Sequence, residues 1–438
     1  MIYYGVLLFF FLDYVRPTSY LPALELLHLN SLVPLAIVVG TLFAQRKSST
    51  VAREMPGEPS NERMMFCFLG LIVCSALFAD VTERVFNVST TVIGYVAIAW
   101  AITRQVTDLD RLKGVLKAMI VVHLVVAALN PLIFTDPDVR HYVSSGAFLG
   151  DGNDFALSIN IVIPFCFFLF GEARTTRHRL VWAAALVVLI LCVVLTQSRG
   201  GTVALACLGL YYWLKSEKKV ASAAVAAALI ALILVYAPPA YLTRMGTIGN
   251  SQEGSTQGRI QAWRGGFRMA VDHPLTGVGA GHFPIAYGTR YRPSEGIPWQ
   301  TAHSIYFLVL GELGFPGLTV LLLLIGRNLA ANRRMLREVT RRYPSRAVTE
   351  RRLLVALSAS LVAFASGGAF LSAPYYPHMY VLAGLLTASR RIAYQRSHAV
   401  QLAAPAVRVV SRDRISADWA PRRGLGGLPL PTTAVHKR

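Results

Sequence analysis

Three polar residues stand where an otherwise apolar chain has no ordinary use for them: Arg199, His303 and Glu312. Arg199 lies in Thr196-Gln197-Ser198-Arg199-Gly200-Gly201, which joins two apolar runs with almost no loop. A guanidinium at such a boundary is costly to desolvate unless an anion pairs with it, and the adjoining glycines permit close backbone approach by a ligand. The competing reading is an arginine snorkelling from a tight helical hairpin. His303, in Trp299-Gln300-Thr301-Ala302-His303-Ser304, belongs to the one side-chain type that ordinarily titrates near neutrality, which suits it to accept a proton. The competing reading is an interfacial histidine bonded to backbone. Glu312 falls nine residues on, about 14 Å deeper along a helix rising 1.5 Å per residue. An intramembrane carboxylate is either a functional group or a structural partner of a neighbouring helix.

Metal and nucleotide chemistry have weaker support. Asp136-Pro137-Asp138 and Asp151-Gly152-Asn153-Asp154 could hold a divalent ion, but Pro and Gly in them point to turns and helix caps. His273, His282 and His378 lack tight ligand spacing, no P-loop is present, and the expectation is chemistry without metal or cofactor. Cys67, Cys74, Cys166, Cys192 and Cys207 all lie in apolar runs without C-x-x-C spacing and read as small buried hydrophobes.

The elements that must position these residues are membrane helices. Of 438 residues 54% are hydrophobic and 15% charged, against roughly 25% charged in a soluble domain. The mean hydropathy is +0.48. Apolar residues come in long runs such as 180–194 and 318–326, without a polar face to turn to water. This excludes a soluble enzyme, a disordered chain and a disulfide-stapled one, and predicts an all-α polytopic protein with about twelve spans. The spans are placed at 2–15, 31–44, 64–79, 87–103, 115–134, 153–171, 179–196, 200–214, 220–237, 303–326, 352–370 and 375–389, with 2–15 taken as a retained first span.

The formal charge of +20 would suggest nucleic acid in a soluble protein. Its placement argues otherwise. Nine Arg against two Glu in 327–353, and ten basic residues against two Asp in 390–438, carry fifteen of the twenty net charges beside membrane spans. With the N-terminus inside, 33 of the 43 basic residues fall on inside segments, which favours both termini in the cytoplasm. The reading is therefore no nucleic acid, a lipid bilayer as surroundings, and four regions: helices 1–9 over 1–237, an outer loop over 238–302, helices 10–12 over 303–389, and a basic cytoplasmic tail over 390–438, disordered after about residue 403.

The outer loop is too polar to span and should be a structured lid with turns at Asp272-His273-Pro274 and Gly277-Val278-Gly279. Residues 258–271 predict a short helix with Ile260, Trp263, Phe267, Ala270 and Val271 on one face. Arg259 and Arg264 flank that face and Arg268 points away. Gly265 and Gly266 weaken the helix.

Several of these fragments resemble the O-antigen ligase and Wzy-type polymerase superfamily of bacterial membrane proteins. The ligase hallmark, H-[NSQ] followed by nine residues and G-x-x-[GTY], is matched by His303-Ser304 and Gly314-Phe315-Pro316-Gly317, with Ser304 where Asn is commoner. Gln197-Ser198-Arg199-Gly200 resembles the family's S-R-G turn. Gly258-Arg259-Ile260-Gln261-Ala262-Trp263 with His273-Pro274-Leu275-Thr276-Gly277-Val278-Gly279 is similar to its R-x-x-x-W and P-x-x-G-x-G segment, and Asn153 with Pro164 to its N-to-P spacing. The resemblance covers about 150–388.

It implies a GT-C-like membrane glycosyltransferase in the bacterial cytoplasmic membrane, with its active site facing the periplasm. The donor would be a glycan on undecaprenyl pyrophosphate and the acceptor a hydroxyl of a glycan, lipid or protein. His303, Arg199 and Arg259 would be catalytic. Arg199, Arg259, Arg264, Ser304, Gly314 and Gly317 would bind substrate. Planar guanidinium suits phosphate oxygens, and the donor's leaving group supplies the driving force. A repeat-unit polymerase and a protein O-oligosaccharyltransferase share this chemistry. A transporter and a non-catalytic scaffold are the other classes, although a 6+6 transporter would place its long loop centrally and inside, whereas here the connection after the sixth span is short.

Overall fold

A computed structural model describes residues 1–47, 60–136, 138–139, 143, 148–248, 254–342 and 347–403. All regular elements among the described residues are helical. In chain order they are α1 (Ile2–Phe10, continued by a π-helical turn Phe11–Val15), α2 (Leu29–Lys47), α3 (Asn61–Ser75), α4 (Thr82–Gln105), α5 (Leu109–Leu129), α6 (Leu132–Thr135), α7 (Gly152–Glu172) and α8 (Thr176–Leu195). Then follow α9 (Arg199–Lys215), α10 (Lys219–Tyr236), α11 (Pro239–Gly246), α12 (Gly254–Asp272), α13 (Phe283–Ala286), α14 (Ile305–Arg342), α15 (Val348–Gly368) and α16 (Pro377–Ala403). The segments expected to span fall on helices, 2–15 on the nine-residue α1 and its π-helical turn, and seven helices among the described residues are long and apolar enough to cross a membrane, against about twelve expected. Met1–Ser397 forms one unit. Of the second, His398–Arg438, only the last residues of α16 are described, and the tail expected to be disordered lies outside the described residues.

Local sequence sets the helix starts. Asp108, Asp151, Thr175 and Ser198 each accept a backbone N–H from the first turn of the helix they precede, supplying one of the bonds that a helix N-terminus lacks. Asp151 is therefore a cap. α7 lies at the centre and is buried along nearly its whole length against α5, α8, α9 and α15.

The expected basic tail begins too early. α16 continues through Arg390, Arg391 and Arg396, and Arg390 is 1% exposed. Its guanidinium donates to Asn332 Oδ1 at 2.8 Å and Asn328 Oδ1 at 2.9 Å, and Asn328 pairs with Asn61 of α3 in both directions. Amide oxygens within the bundle thus satisfy the charge of a residue that counts with the basic tail in the sequence. The cysteines also divide: Cys166 and Cys192 are buried, whereas Cys67 and Cys74 face outward from α3, a position open to small hydrophobes where the surroundings are lipid.

Polar contacts separate the two ends of the bundle. At one end Glu172 meets Lys113 at 2.9 Å and accepts from Thr349, Arg351 meets Glu217, and Arg396 meets Glu350. At the other end lie the α8–α9 turn, the α3–α4 and α15–α16 connections, and all of α11–α13.

Candidate active site

The turn between α8 and α9 is held from both sides. Ser198 Oγ accepts from Gly201 N at 3.0 Å and donates to Asn153 Oδ1 on α7 at 2.7 Å. Gln197 before it is buried and has φ 53°, in the left-handed region. Arg199 is then the first residue of α9, half-buried, and its Nη1 donates to Thr247 Oγ1 at 2.9 Å, just past α11. Thr202 and Tyr241 hydroxyls, 3.2 Å apart, fasten α11 to the same helix.

His303 is the second left-handed residue of a motif, with φ 48°. For a residue with a Cβ this conformation costs on the order of 1–3 kcal/mol and persists only where neighbours enforce it. Here Trp263 Nε1 donates to Ala302 O at 2.9 Å, Thr301 Oγ1 to Ser372 Oγ at 2.9 Å, and Gln300 Nε2 to Gly258 O at 2.8 Å. The chain entering α14 is thereby tied to α12 and to the α15–α16 connection. Gly258 precedes Arg259, which is half-buried in the first turns of α12. Ser304 is buried, and its carbonyl accepts the first α14 N–H, from Leu308.

The C-terminal end of α15 joins these loops. A Cβ at Gly200 would lie 2.9 Å from Phe370 Cβ, and one at Gly368 would lie 2.6 Å from Ile305 Cδ1, so the S-R-G turn and the start of α14 pack against neighbouring residues of α15 and its extension. The structure thus brings the segments of Arg199, Arg259 and His303 to one end of one helix group. A cleft between α7, α9 and α15, lined by Asn153, Ser198, Gly200, Gly201, Gly367 and Phe370, is only about 10 Å³, too small for a ligand.

Gly314 and Glu312 organise the second half of the hallmark. Gly314 has φ 64° and ψ −164° inside α14, a conformation open essentially to glycine. The resulting break frees carbonyls: Gly311 O accepts from Val278 N at 2.9 Å, Glu312 O from Gly279 N at 3.0 Å, and Phe315 N donates to Pro274 O at 3.0 Å. The Glu312 carboxylate accepts Phe283 N at 2.9 Å and the Tyr375 hydroxyl at 2.7 Å. Of its two sequence readings, the structural partner is the one these bonds describe. Gly317 is buried one turn beyond the break. The turns expected at 272–279 are present.

The face assigned to the loop helix requires correction. α12 begins four residues earlier than predicted, and the buried positions are Ala262, Gly265, Gly266, Met269 and Ala270, whereas Phe267 and Val271 are 51% and 55% exposed. The reason is that small residues make the helix contact: a Cβ at Gly266 would lie 2.8 Å from Phe307 O. Small-residue contact with large apolar residues turned outward resembles the packing of membrane helices, the reverse of a water-soluble amphipathic helix. Arg268 accordingly does not point away from the apolar residues. It is exposed and shares with Arg264 a groove lined by Ile260, Trp263, Phe267 and Phe307.

Sequence reasoning missed Thr247, Ser372 and Tyr375. Each lies 48 to 71 residues from its partner in the chain, and no local pattern marks such pairs. Among the described residues no group of three His, Cys, Asp or Glu side chains could hold a metal ion. Pro137 of the Asp136-Pro137-Asp138 run lies outside the described residues. No curated protein matches the chain. Residues 184–322, which include Arg199, Arg259, His303, Gly314 and Gly317, match the family model described as O-Antigen ligase (Wzy_C), so this part of the chain is similar to the family that its motifs resemble.

Proposed function

We propose that the protein is a GT-C-like glycosyltransferase of a bacterial cytoplasmic membrane, moving a glycan from undecaprenyl pyrophosphate to an acceptor hydroxyl on the periplasmic side. The observation that carries the reading is the convergence of the two left-handed motif residues, Gln197 and His303, with the start of α12 at the C-terminal end of α15. The family match supports a ligase- or polymerase-type enzyme acting on glycan and lipid-linked substrates. Clustering of ion-paired Lys and Arg at the opposite end supports the sidedness, since basic residues concentrate on the cytoplasmic face.

In this mechanism the acceptor oxygen attacks the anomeric carbon, its proton passes to an imidazole nitrogen of His303, and the anomeric C–O bond breaks with its electron pair going to the pyrophosphate. Arg199 and Arg259 take up that charge. Arg199 opens α9, and a helix N-terminus and a guanidinium together favour an anion. Ser304, Gly314 and Gly317 keep the α14 backbone in the shape that presents His303. The acceptor is a glycan, lipid or protein hydroxyl. The test is transfer by purified, reconstituted protein supplied with polyprenyl-pyrophosphate glycan, against Arg199→Ala. The proposal requires transfer in the first and loss of at least about 10²-fold in the second. Absence of any transfer with competent donor and acceptor contradicts it.

A further inference from the structure

α12 does not stand off the bundle. Trp263 stacks on Phe307 at 5.1 Å between ring centroids, Gly266 abuts Phe307 O, Met269 reaches Gly311, and Pro274 O meets Phe315 N. Read in order, these contacts run α12 alongside α14 in the same direction. From Phe307 to Gly314 α14 advances about 10 Å, so α12 follows it inward by that distance from the His303 end. The outward face of α12 carries Phe267 and Val271, four residues apart, and Leu275, 72% exposed, follows in the turn after the helix. Beside this stripe Arg264 and Arg268, also four apart, line an open groove of about 350 Å³ whose other walls are Ile260, Trp263, Phe267 and Phe307. Neither arginine is within ion-pairing distance of an acidic side chain among the described residues. Arg268 lies about 6 Å further along the inward-running helix than Arg264.

Apolar walls at membrane depth hold a chain, and two guanidiniums one turn apart beside lipid need an anion to offset their desolvation. We propose that this groove binds an anionic phospholipid of the leaflet at the His303 end, with its phosphodiester between Arg264 and Arg268 and an acyl chain along Ile260, Trp263, Phe267 and Phe307. The bound lipid holds α12 against α14 and so sets the place of Arg259 in the first turns of the same helix. The site stands on the groove and its charges, and does not require glycosyl transfer.

The test uses full-length protein in nanodiscs of phosphatidylcholine with one-tenth phosphatidylglycerol, carrying the photo-cross-linker p-benzoylphenylalanine in place of Phe267. After illumination the lipid adduct is identified by mass. The expected result is a phosphatidylglycerol adduct enriched about tenfold or more over its mole fraction, the scale of two basic residues at an anionic surface. The enrichment should fall to the mole fraction with Arg264→Gln and Arg268→Gln, and persist with Arg264→Lys and Arg268→Lys, which separates loss of charge from loss of fold. Labelling of the unsubstituted arginine protein at the mole fraction would overturn the proposal. So would displacement of the phosphatidylglycerol adduct by a small addition of polyprenyl phosphate, because the groove would then be a donor seat.

Discussion

Gly314→Ala tests whether the break in α14 positions the site. At φ 64° and ψ −164° an alanine is strained by about 1–3 kcal/mol, and its Cβ would lie 2.5 Å from Pro274 O and 2.9 Å from Pro274 C. Those are backbone atoms, so relief requires the 274–279 turn to move. Movement breaks Phe315 N to Pro274 O, worth about 1 kcal/mol, and loads the bonds from Val278 and Gly279 to the freed carbonyls. The expected total is about 2–4 kcal/mol of destabilisation. Because α12 leads directly into this turn, Arg259 shifts with it, and a displacement near 1 Å in a positioning element costs on the order of 10²-fold in rate. Gly326→Ala is the matched control, since nothing lies within 4 Å of its added Cβ on the same helix. Thermal unfolding in detergent and transfer by reconstituted protein should both separate the two variants. If Gly314→Ala unfolds and turns over like Gly326→Ala, the break carries no positional role and the reasoning fails.

Arg259→Ala should lose transfer at least about 10²-fold with insertion intact, and Arg259→Lys should recover little because ammonium lacks the planar fork. Initial rates and membrane fractionation check this. Tyr375→Phe removes a 2.7 Å bond to the buried Glu312 carboxylate and should cost about 1–3 kcal/mol by thermal unfolding, whereas Tyr4→Phe, 71% exposed, should cost nothing measurable. Burial, with the hydroxyl donated to Asp272, pushes Tyr291 up to about 12. The folded chain keeps a proton that an unfolded chain loses near about 10, so its contribution is full below about pH 10 and lost as pH rises towards about 12. Tyr291→Phe should remove that step from the stability profile. For sidedness, in a background without the native cysteines, Ser294→Cys should label from the periplasm and Lys218→Cys only after permeabilisation.

Helix positions were legible because a bilayer demands long apolar runs, and each expected segment coincides with a helix. The turns at 272–279 were legible from Pro and Gly. The face of α12 was not, because the periodicity rule assigns large apolar residues to the interior, whereas α12 packs through Gly265 and Gly266 and turns Phe267 and Val271 outward. The start of the tail was not legible either: Arg390 counts with the basic tail by its charge, yet Asn328 and Asn332, 62 and 58 residues away, satisfy it inside the bundle. At the site, the motif residues Arg199, Arg259 and His303 were visible as types and spacings. The left-handed backbone at Gln197 and His303 was not, since neither is a glycine and the second is held by bonds from the distant Trp263 and from Thr301 and Gln300.

In the proposed mechanism His303 takes the acceptor's proton. Asparagine tolerates the left-handed backbone that position 303 adopts, so His303→Asn removes the imidazole with the least disturbance to the chain. Transfer and donor binding should be measured separately on this variant in lipid-reconstituted protein. The account predicts turnover lower by about 10²–10⁴-fold with donor affinity unchanged, because the arginine contacts remain. Turnover within a few-fold of the parent would contradict the proton-transfer role.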